Sequence, residues 1–479
     1  MTEFSGQKFS GQNVLVMGLG LNGGGLECAK FLAKQGAELC VTDLHDASHL
    51  QTSIAELDNF VGGIHAKAVR YVLGKHEIDD FKNADLVIKN PGVPPTSKFL
   101  QAAKHIETDI SLFLQNNKAR LCAVTGSKGK SFTSTAIHHC LNAAHETGQK
   151  GFAGKAYIGG NITVSPLTFL DALTPNDDVV LELSSWQLGD LKNGVLKPRV
   201  ALITSIMADH QDRYGNMENY VNDKRLIYKN QIDTDATIAQ NDEWGKSFLA
   251  ETKAAKFLYS NTELKKGIAG SYLNKDGEGI AQGVIGVLSA NERSVVVPKI
   301  TKVIGHHQKL NLCASSLCLL ELGLGSGFIR EQNAQFAGLE HRMELFFEHK
   351  GIKFYNDTAA TIPQASAASL TALDHPIVIT GGTDKDLDFS PFINAAANAK
   401  KIILLEGSAS KKLCDGLEAA HLDYEGPFNS LSRALDASLQ NASSGDCIIL
   451  SPGCASFEMF LNEFDRGRKW KSEVLSKFK

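Results

Sequence analysis

Residues 121–141, LCAVTGSKGKSFTSTAIHHCL, combine the residue types that hold phosphate with an unusual spacing. An apolar run that reads as a strand enters a turn rich in glycine and lysine, and a helix pattern follows. Backbone N–H groups and the dipole at such a helix start attract an anion. Gly126, Ser127, Lys128 and Gly129 form the turn, Lys130 adds a point charge, and Ser131 offers a hydroxyl to Mg²⁺. The common form G-x-x-x-x-G-K-S/T would begin at residue 124, which is Val, and the first glycine comes two positions later at Gly126. A purely structural turn is the competing reading, but it has no need of a second cation at Lys128.

Other constellations could add metal and anion chemistry. LELSSWQL (181–188) puts Glu182 at the end of an apolar strand, where a carboxylate can reach a metal beside the loop. Alone, a glutamate there reads first as a buried or capping carboxylate. MADHQDRYGNMENYVNDKRLIYKNQ (207–231) packs Asp209, His210, Asp212 and Arg213 after a strand, ahead of a helix bearing Lys224. His210 is a candidate second metal ligand; a solvated loop would look the same. GLGLNG (18–23) fits G-x-G-x-x-G, with Gly18, Gly20 and Gly23, and Asp43 stands 20 residues further on. This spacing serves NAD, another diphosphate, or only close helix packing. GLEHRMELF, YNDTAATIP, ITGGTDKDLDF and LSPGCASFEMF each place polar groups after strands between 338 and 460. If these four loops share one face, they make an anion site.

The elements that must position these residues alternate. NVLVMG (13–18), AELCVTDL (37–44) and ADLVIKNPGV (84–93) read as buried strands with helices between, the pattern of a parallel α/β sheet. DDVVLELSS, RVALITSI and DATIAQND begin a second such unit, residues 266–303 read as hairpins, and HHQKLNLCASSLCLLELGLG reads as a core helix. KFYND, HPIVITGG, KKIILLEG and DCIILSPG form a third unit. A length of 479 residues suits roughly three domains. The net charge of −4 excludes a global field for nucleic acid. The polar start, the lack of an apolar run of membrane-spanning length and nine scattered cysteines predict a cytosolic protein with reduced thiols.

The order of motifs resembles a known family. TGSKGKS is similar to the TGTNGKS/T loop of the Mur ligase and folylpolyglutamate synthetase superfamily. LELSSWQL resembles an ELSSFQL segment of glutamate-adding Mur ligases, and the 208–231 stretch resembles their DHLDRHGSMENY…AKxxIF. GLEHRME, YNDTAAT, GGTDKDLDF and LSPGCASFEMFLNEFDRG match successive Mur ligase motifs. The resemblance covers nearly the whole chain and is weakest in 45–85 and 245–300. It implies an α/β fold of three domains: a Rossmann-like UDP-sugar domain (1–118), a central P-loop ATPase domain (119–338) and a Rossmann-like C-terminal domain (339–479) that closes on ATP and glutamate.

The resemblance implies ATP-dependent amide formation, with glutamate, by default D-glutamate, added to UDP-N-acetylmuramoyl-L-alanine through an acyl phosphate. L-glutamate or another acceptor is the alternative. The implied cofactors are ATP and two Mg²⁺ ions, and no nucleic-acid or membrane partner is implied. A monomer is the family expectation. By motif match, Lys130 and Arg342 hold the γ-phosphate. Ser131 and Glu182 hold one Mg²⁺; His210 and Lys224, carbamylated by CO₂, serve the second. Asn311 and Asp357 fall on the adenosine side. Gly18, Gly20, Asn22, Asp43, Asn90 and Gly92 fall on the UDP side, and Asn161 and Gln187 near substrate and phosphate. Thr361, Lys385, Ser456 and Phe457 match the pocket for the incoming amino acid. Ala359 replaces a family lysine, and Glu463 stands where an aromatic is common.

Overall fold

The computed structural model describes residues 8–20, 24–162, 164–191, 194–286, 288–290 and 292–478, with the side chain of Asp212 excepted. The described residues form three sheets. The first orders its five parallel strands as Arg70–Leu73, Glu38–Asp43, Asn13–Met17, Leu86–Lys89 and Ile106–Glu107. This is the 3-2-1-4-5 order of a dinucleotide-type fold, whose ligands lie beyond the carboxyl ends of the strands. Val14, Val16, Val41 and Val87 are buried, as parallel strands covered on both faces require.

The central sheet has nine strands, with Arg120–Thr125 between Val200–Ile203 and Asp178–Glu182. Its distal part, Gly270–Leu273, Gly279–Gln282 and Arg293–Val297, is an antiparallel meander, as the glycine-punctuated sequence predicts. The core helix His306–Glu321 also forms as expected. Capping boxes start Asp109–Asn116, through Thr108 and Ser111, and Ser185–Gly189, through Ser184 and Gln187.

The third sheet has six strands. Its edge differs from a uniform parallel alternation: Glu344–His349 pairs antiparallel with Ile352–Asn356. Lys350 and Gly351, both at positive φ, form the two-residue turn that joins them. The short edge strands Arg70–Leu73, Ala156–Gly160 and Tyr424–Phe428 carry little apolar signal and are not singled out by the sequence pattern. The chain divides into two compact units. The first comprises residues 1–299 and 310–333 and holds the first two sheets; the second comprises 300–309 and 334–479.

Candidate active site

The glycine–lysine loop is short because it is pinned to the neighbouring strand exit. Gly126 has φ +143°, and a Cβ there would lie 1.9 Å from Thr204 Oγ1. Ser127 N donates to Ser205 O at 2.8 Å. The Ser127 hydroxyl donates to Met207 O at 2.9 Å, receives Met207 N, and lies 3.0 Å from the Tyr220 hydroxyl. Ser127 therefore faces inward: its N–H and hydroxyl both brace the loop. Gly129, at φ +91°, precedes the helix Lys130–Glu146, and the Asn311 amide lies 3.0–3.3 Å from where its Cβ would be. Asn311 thus sits against the phosphate loop. Ser131 occupies the first helical turn and is partly exposed, and Lys128 is exposed, 3.6 Å from Asp209.

Two lysines meet at this loop. Lys130 Nζ donates to Gly126 O at 2.9 Å and to Ser127 O at 3.1 Å, and Lys224 Nζ donates to the same Gly126 O at 3.0 Å. Lys224 is only 1% exposed, with its ammonium 4.4 Å from the Tyr220 ring centre. Burial, and secondarily the Lys130 charge, push its pKa down to about 7. Glu182 pairs in register with Val124, at the exit of the adjacent strand. Its Oε1 accepts from Asn161 Nδ2 at 3.0 Å, while its buried Oε2 has no partner. An unpartnered buried carboxylate oxygen fits a cation ligand. His210, in the left-handed region at φ +51°, is exposed, with its ring 5.0 Å from that of Trp186.

In the first sheet, Gly18 and Gly20 take positive φ, and Gly25 packs so tightly that a Cβ would overlap Gly18 O at 2.1 Å. Asn22 and Gly23 lie outside the described residues. Asp43 is held by the backbone: its Oδ2 accepts from Leu19 N and Gly20 N at 3.0 and 3.2 Å, and its Oδ1 from His45 N at 3.0 Å. These bonds shape the glycine loop. Asn90 Oδ1 accepts from Gly92 N at 3.0 Å, which holds the 90–92 turn beside Gly18. Gln187 Oε1 accepts from Ser184 N at 3.0 Å, so its carbonyl end serves the capping box.

In the second unit the predicted loops do share one edge. Thr383 and Ala455 exchange backbone hydrogen bonds, Gly381 N donates to Pro452 O, and Gly453 N donates to Ala360 O. Asp357 lies at the centre of this edge, accepting from Ser369 Oγ at 2.6 Å, Ser451 Oγ at 2.7 Å and Met343 N at 3.1 Å. Burial pushes its pKa up to about 6. With its carboxylate so engaged, Asp357 is a hub of the loops. Arg342, Lys385 and Phe457 are exposed, Thr361 is partly exposed, and Ser456 is buried with an unpartnered hydroxyl.

Arg466 was not among the expected site residues, although FDRG lay in a matched motif. It is fully buried, and its guanidinium donates to Thr358 Oγ1 and to the carbonyls of Thr358, Cys454 and Ala455 at 2.9–3.2 Å. Those bonds fix the loops carrying Ser456 and Thr361. Glu340, His341 and Glu344 bring ligand atoms within 4.8 Å of one another, but Lys471 donates to both carboxylates and Asn356 donates to Glu344. That group is a packed hydrogen-bond network.

Family models match the chain in three segments: the Mur ligase MurD-like N-terminal domain over 12–111, the Mur ligase middle domain over 124–319 and the Mur ligase glutamate ligase domain over 341–454. The chain belongs to the Mur ligase family, whose three-domain α/β architecture it has. It is 40% identical over 471 residues to UDP-N-acetylmuramoylalanine–D-glutamate ligase of Borreliella burgdorferi, covering 96% of this chain and 97% of that one. To the enzyme of the same name from Treponema pallidum it is 37% identical, with 97% of each chain covered. Among solved structures, UDP-N-acetylmuramate-alanine ligase MurC of Thermotoga maritima shares the fold with a TM-score of 0.57 at 19% identity, over 97% of this chain and 100% of that one. MurF ligase of Thermotoga maritima does so with a TM-score of 0.52 at 14% identity, over 98% and 97%. Family membership removes the NAD reading of the 18–23 sequence. No helix among the described residues is long and apolar enough to cross a membrane.

Proposed function

We propose that this chain is an ATP-dependent ligase that joins D-glutamate to UDP-N-acetylmuramoyl-L-alanine, a step in building peptidoglycan precursors. The observation that carries the reading is the meeting of Lys130 and Lys224 at Gly126 O, next to the strand that ends in Glu182 with its unpartnered oxygen. A loop that holds the Lys130 cation beside a buried carboxylate with one unpartnered oxygen suits a magnesium nucleotide. Its 40% identity to a D-glutamate ligase supports the choice of amino acid over L-glutamate.

In this reaction the substrate carboxylate attacks the γ-phosphorus of ATP, and ADP leaves as an acyl phosphate forms. The amine of glutamate attacks the acyl carbon, and inorganic phosphate departs. Lys130 binds the γ-phosphate and neutralises charge as it moves. Arg342 is assigned to phosphate on its motif match alone. Ser131 and Glu182 would hold one Mg²⁺, and His210 with carbamylated Lys224 would serve a second. Bound Mg²⁺ supplies charge neutralisation between the two anions that must meet. A Lys224 amine with a pKa of about 7 is half neutral at neutral pH, which is what addition to CO₂ requires. Asn90 and Gly92 hold the UDP end, and Thr361, Lys385, Ser456 and Phe457 the incoming glutamate.

The domain limits 1–118, 119–338 and 339–479, a monomeric state and a cytosolic location belong to the same proposal. Its test is phosphate release from ATP and Mg²⁺ by purified protein with UDP-N-acetylmuramoyl-L-alanine and either D- or L-glutamate. Release that depends on D-glutamate alone is the expected result. Release with L-glutamate alone would keep the chemistry and overturn the amino acid, and none with either would overturn the substrate assignment.

A further inference from the structure

The strand Leu86–Lys89 of the first sheet ends in a buried lysine. Its ammonium pairs with Asp190, the C-cap of the short helix Ser185–Gly189, and the side chains are 4% and 6% exposed. Burial pushes the Lys89 ammonium down and the Asp190 carboxyl up, and each partner opposes the other's shift. Two more charges surround the pair. The Arg213 guanidinium lies 4.2 Å from the Trp186 ring centre and 3.5 Å from Pro91 O, and its charge acts on both Lys89 and Asp190. Asp223 accepts from the Tyr214 hydroxyl at 2.7 Å and lies over Gly189, where a Cβ would stand 2.4 Å from its carboxylate.

A buried ion pair is weak evidence for stability, because apolar side chains of similar volume often do as well. What a buried pair can do is fix one geometry. Here it ties a segment carrying proposed substrate residues to one that packs beside proposed metal-site residues. On one side the chain runs from Lys89 directly into Asn90, Pro91 and Gly92. On the other, Asp223 adjoins Lys224, and the Trp186 ring under Arg213 lies 5.0 Å from the His210 ring. A substrate anchored at one end and reacting at the other gains rate only when the spacing between those ends is held.

We propose that Lys89 and Asp190, backed by Arg213 and Asp223, are positioning residues that set the spacing between the 90–92 loop and the His210–Lys224 segment. A nucleoside diphosphate-linked acid held by the loop then presents its carboxylate at the phosphate-transfer site. This inference rests on the proposed function and adds a structural ruler to it.

The test is a Lys89→Met/Asp190→Leu double variant, which replaces the pair by apolar side chains. Steady-state phosphate release is measured against the UDP-linked acid and against ATP, with a melting temperature for each protein. The expected result is at least a tenfold loss of kcat/KM for the UDP-linked acid, with KM for ATP within twofold and an unlowered melting temperature. A folded double variant within twofold of wild type on both substrates overturns the inference, as does an equal loss on both. Should the double variant fail to fold, Lys89→Arg decides: it keeps the charge and changes the strut, so KM for the UDP-linked acid should rise at least threefold, and an unchanged KM overturns the inference. Wild-type protein without turnover overturns the function and the inference together, whereas an active wild type beside an indifferent double variant overturns the inference alone.

Discussion

Lys130 and Lys224 donate to one carbonyl oxygen, that of Gly126, at 2.9 and 3.0 Å, although they stand 94 positions apart in the sequence. The loop carbonyl thus holds both ammonium groups in one place. Replacing Lys130 by Ala removes the phosphate cation while leaving the first sheet untouched. Turnover should fall at least a hundredfold, and UDP-N-acetylmuramoyl-L-alanine should still raise the melting temperature. Wild-type turnover in this variant would remove the loop from the mechanism.

Lys224 should react with CO₂ as its amine loses its proton near pH 7. With ¹³C-bicarbonate, an NMR carbamate signal is expected that weakens as pH falls below 7 and is missing in Lys224→Arg. The linked stability effect follows from the sign of the shift. Between about pH 7 and its unfolded value of 10.5, the unfolded chain holds a proton that the folded chain has released. The stability contributed by this group therefore rises with pH across that window. An unaltered carbamate spectrum in the Lys224→Arg protein would assign the signal elsewhere.

Glu182→Gln neutralises a buried carboxylate that has one unpartnered oxygen. In Mg²⁺-free buffer the variant should melt at the same temperature as wild type or higher, because a buried carboxylate with an unpartnered oxygen is replaced by a neutral amide. Its Mg²⁺ requirement for turnover should rise at least tenfold. A clearly lower melting temperature with normal Mg²⁺ dependence would make Glu182 a structural carboxylate.

Gly126→Ala should be severe. The added Cβ would meet Thr204 Oγ1 at 1.9 Å on a backbone with φ +143°. Strain of this kind costs about 1–3 kcal/mol before any overlap is counted. Calorimetry should show a lower melting temperature, and ATP turnover should be lost. A Gly126→Ala/Thr204→Ala protein should recover part of the stability, since it removes the closest overlap but leaves the residue 204 Cβ at 2.9 Å and the strain.

Asp357 predicts a pH dependence of the opposite slope. Its pKa is raised from 3.8 to about 6, so between those values the folded chain holds a proton that the unfolded chain has lost. The stability it contributes falls as pH rises through that window. Melting temperatures of wild type minus Asp357→Asn should therefore increase from pH 7 to pH 4.5. A constant difference would mean that Asp357 is ionised throughout.

How far these sites were readable depended on whether the signal was local. The strands Asn13–Met17, Arg120–Thr125 and Cys447–Leu450 are continuous apolar runs that end in glycine or polar residues, so both the element and the site at its exit show in a few neighbouring letters. The order of the polar clusters also carried the family and its chemistry. Side-chain partners did not show. Ser127 turns inward because Ser205, Met207 and Tyr220 lie beneath it; Asp43 is taken by the backbone of Leu19 and Gly20; Asp357 is taken by two serines and a backbone N–H. Lys224 sits on a strongly polar helix, and nothing near it in sequence predicts its burial.

The sequence by itself therefore determined the elements, their order and the chemical identity of the groups at the strand ends. The tertiary structure decided which of those groups are free to act. Periodicity is written in adjacent residues, whereas desolvation and hydrogen-bond partnership arise from packing between segments tens to hundreds of positions apart. Thus Lys89 and Asp190, 101 positions apart, form one ion pair, while Glu182 keeps an oxygen without a partner.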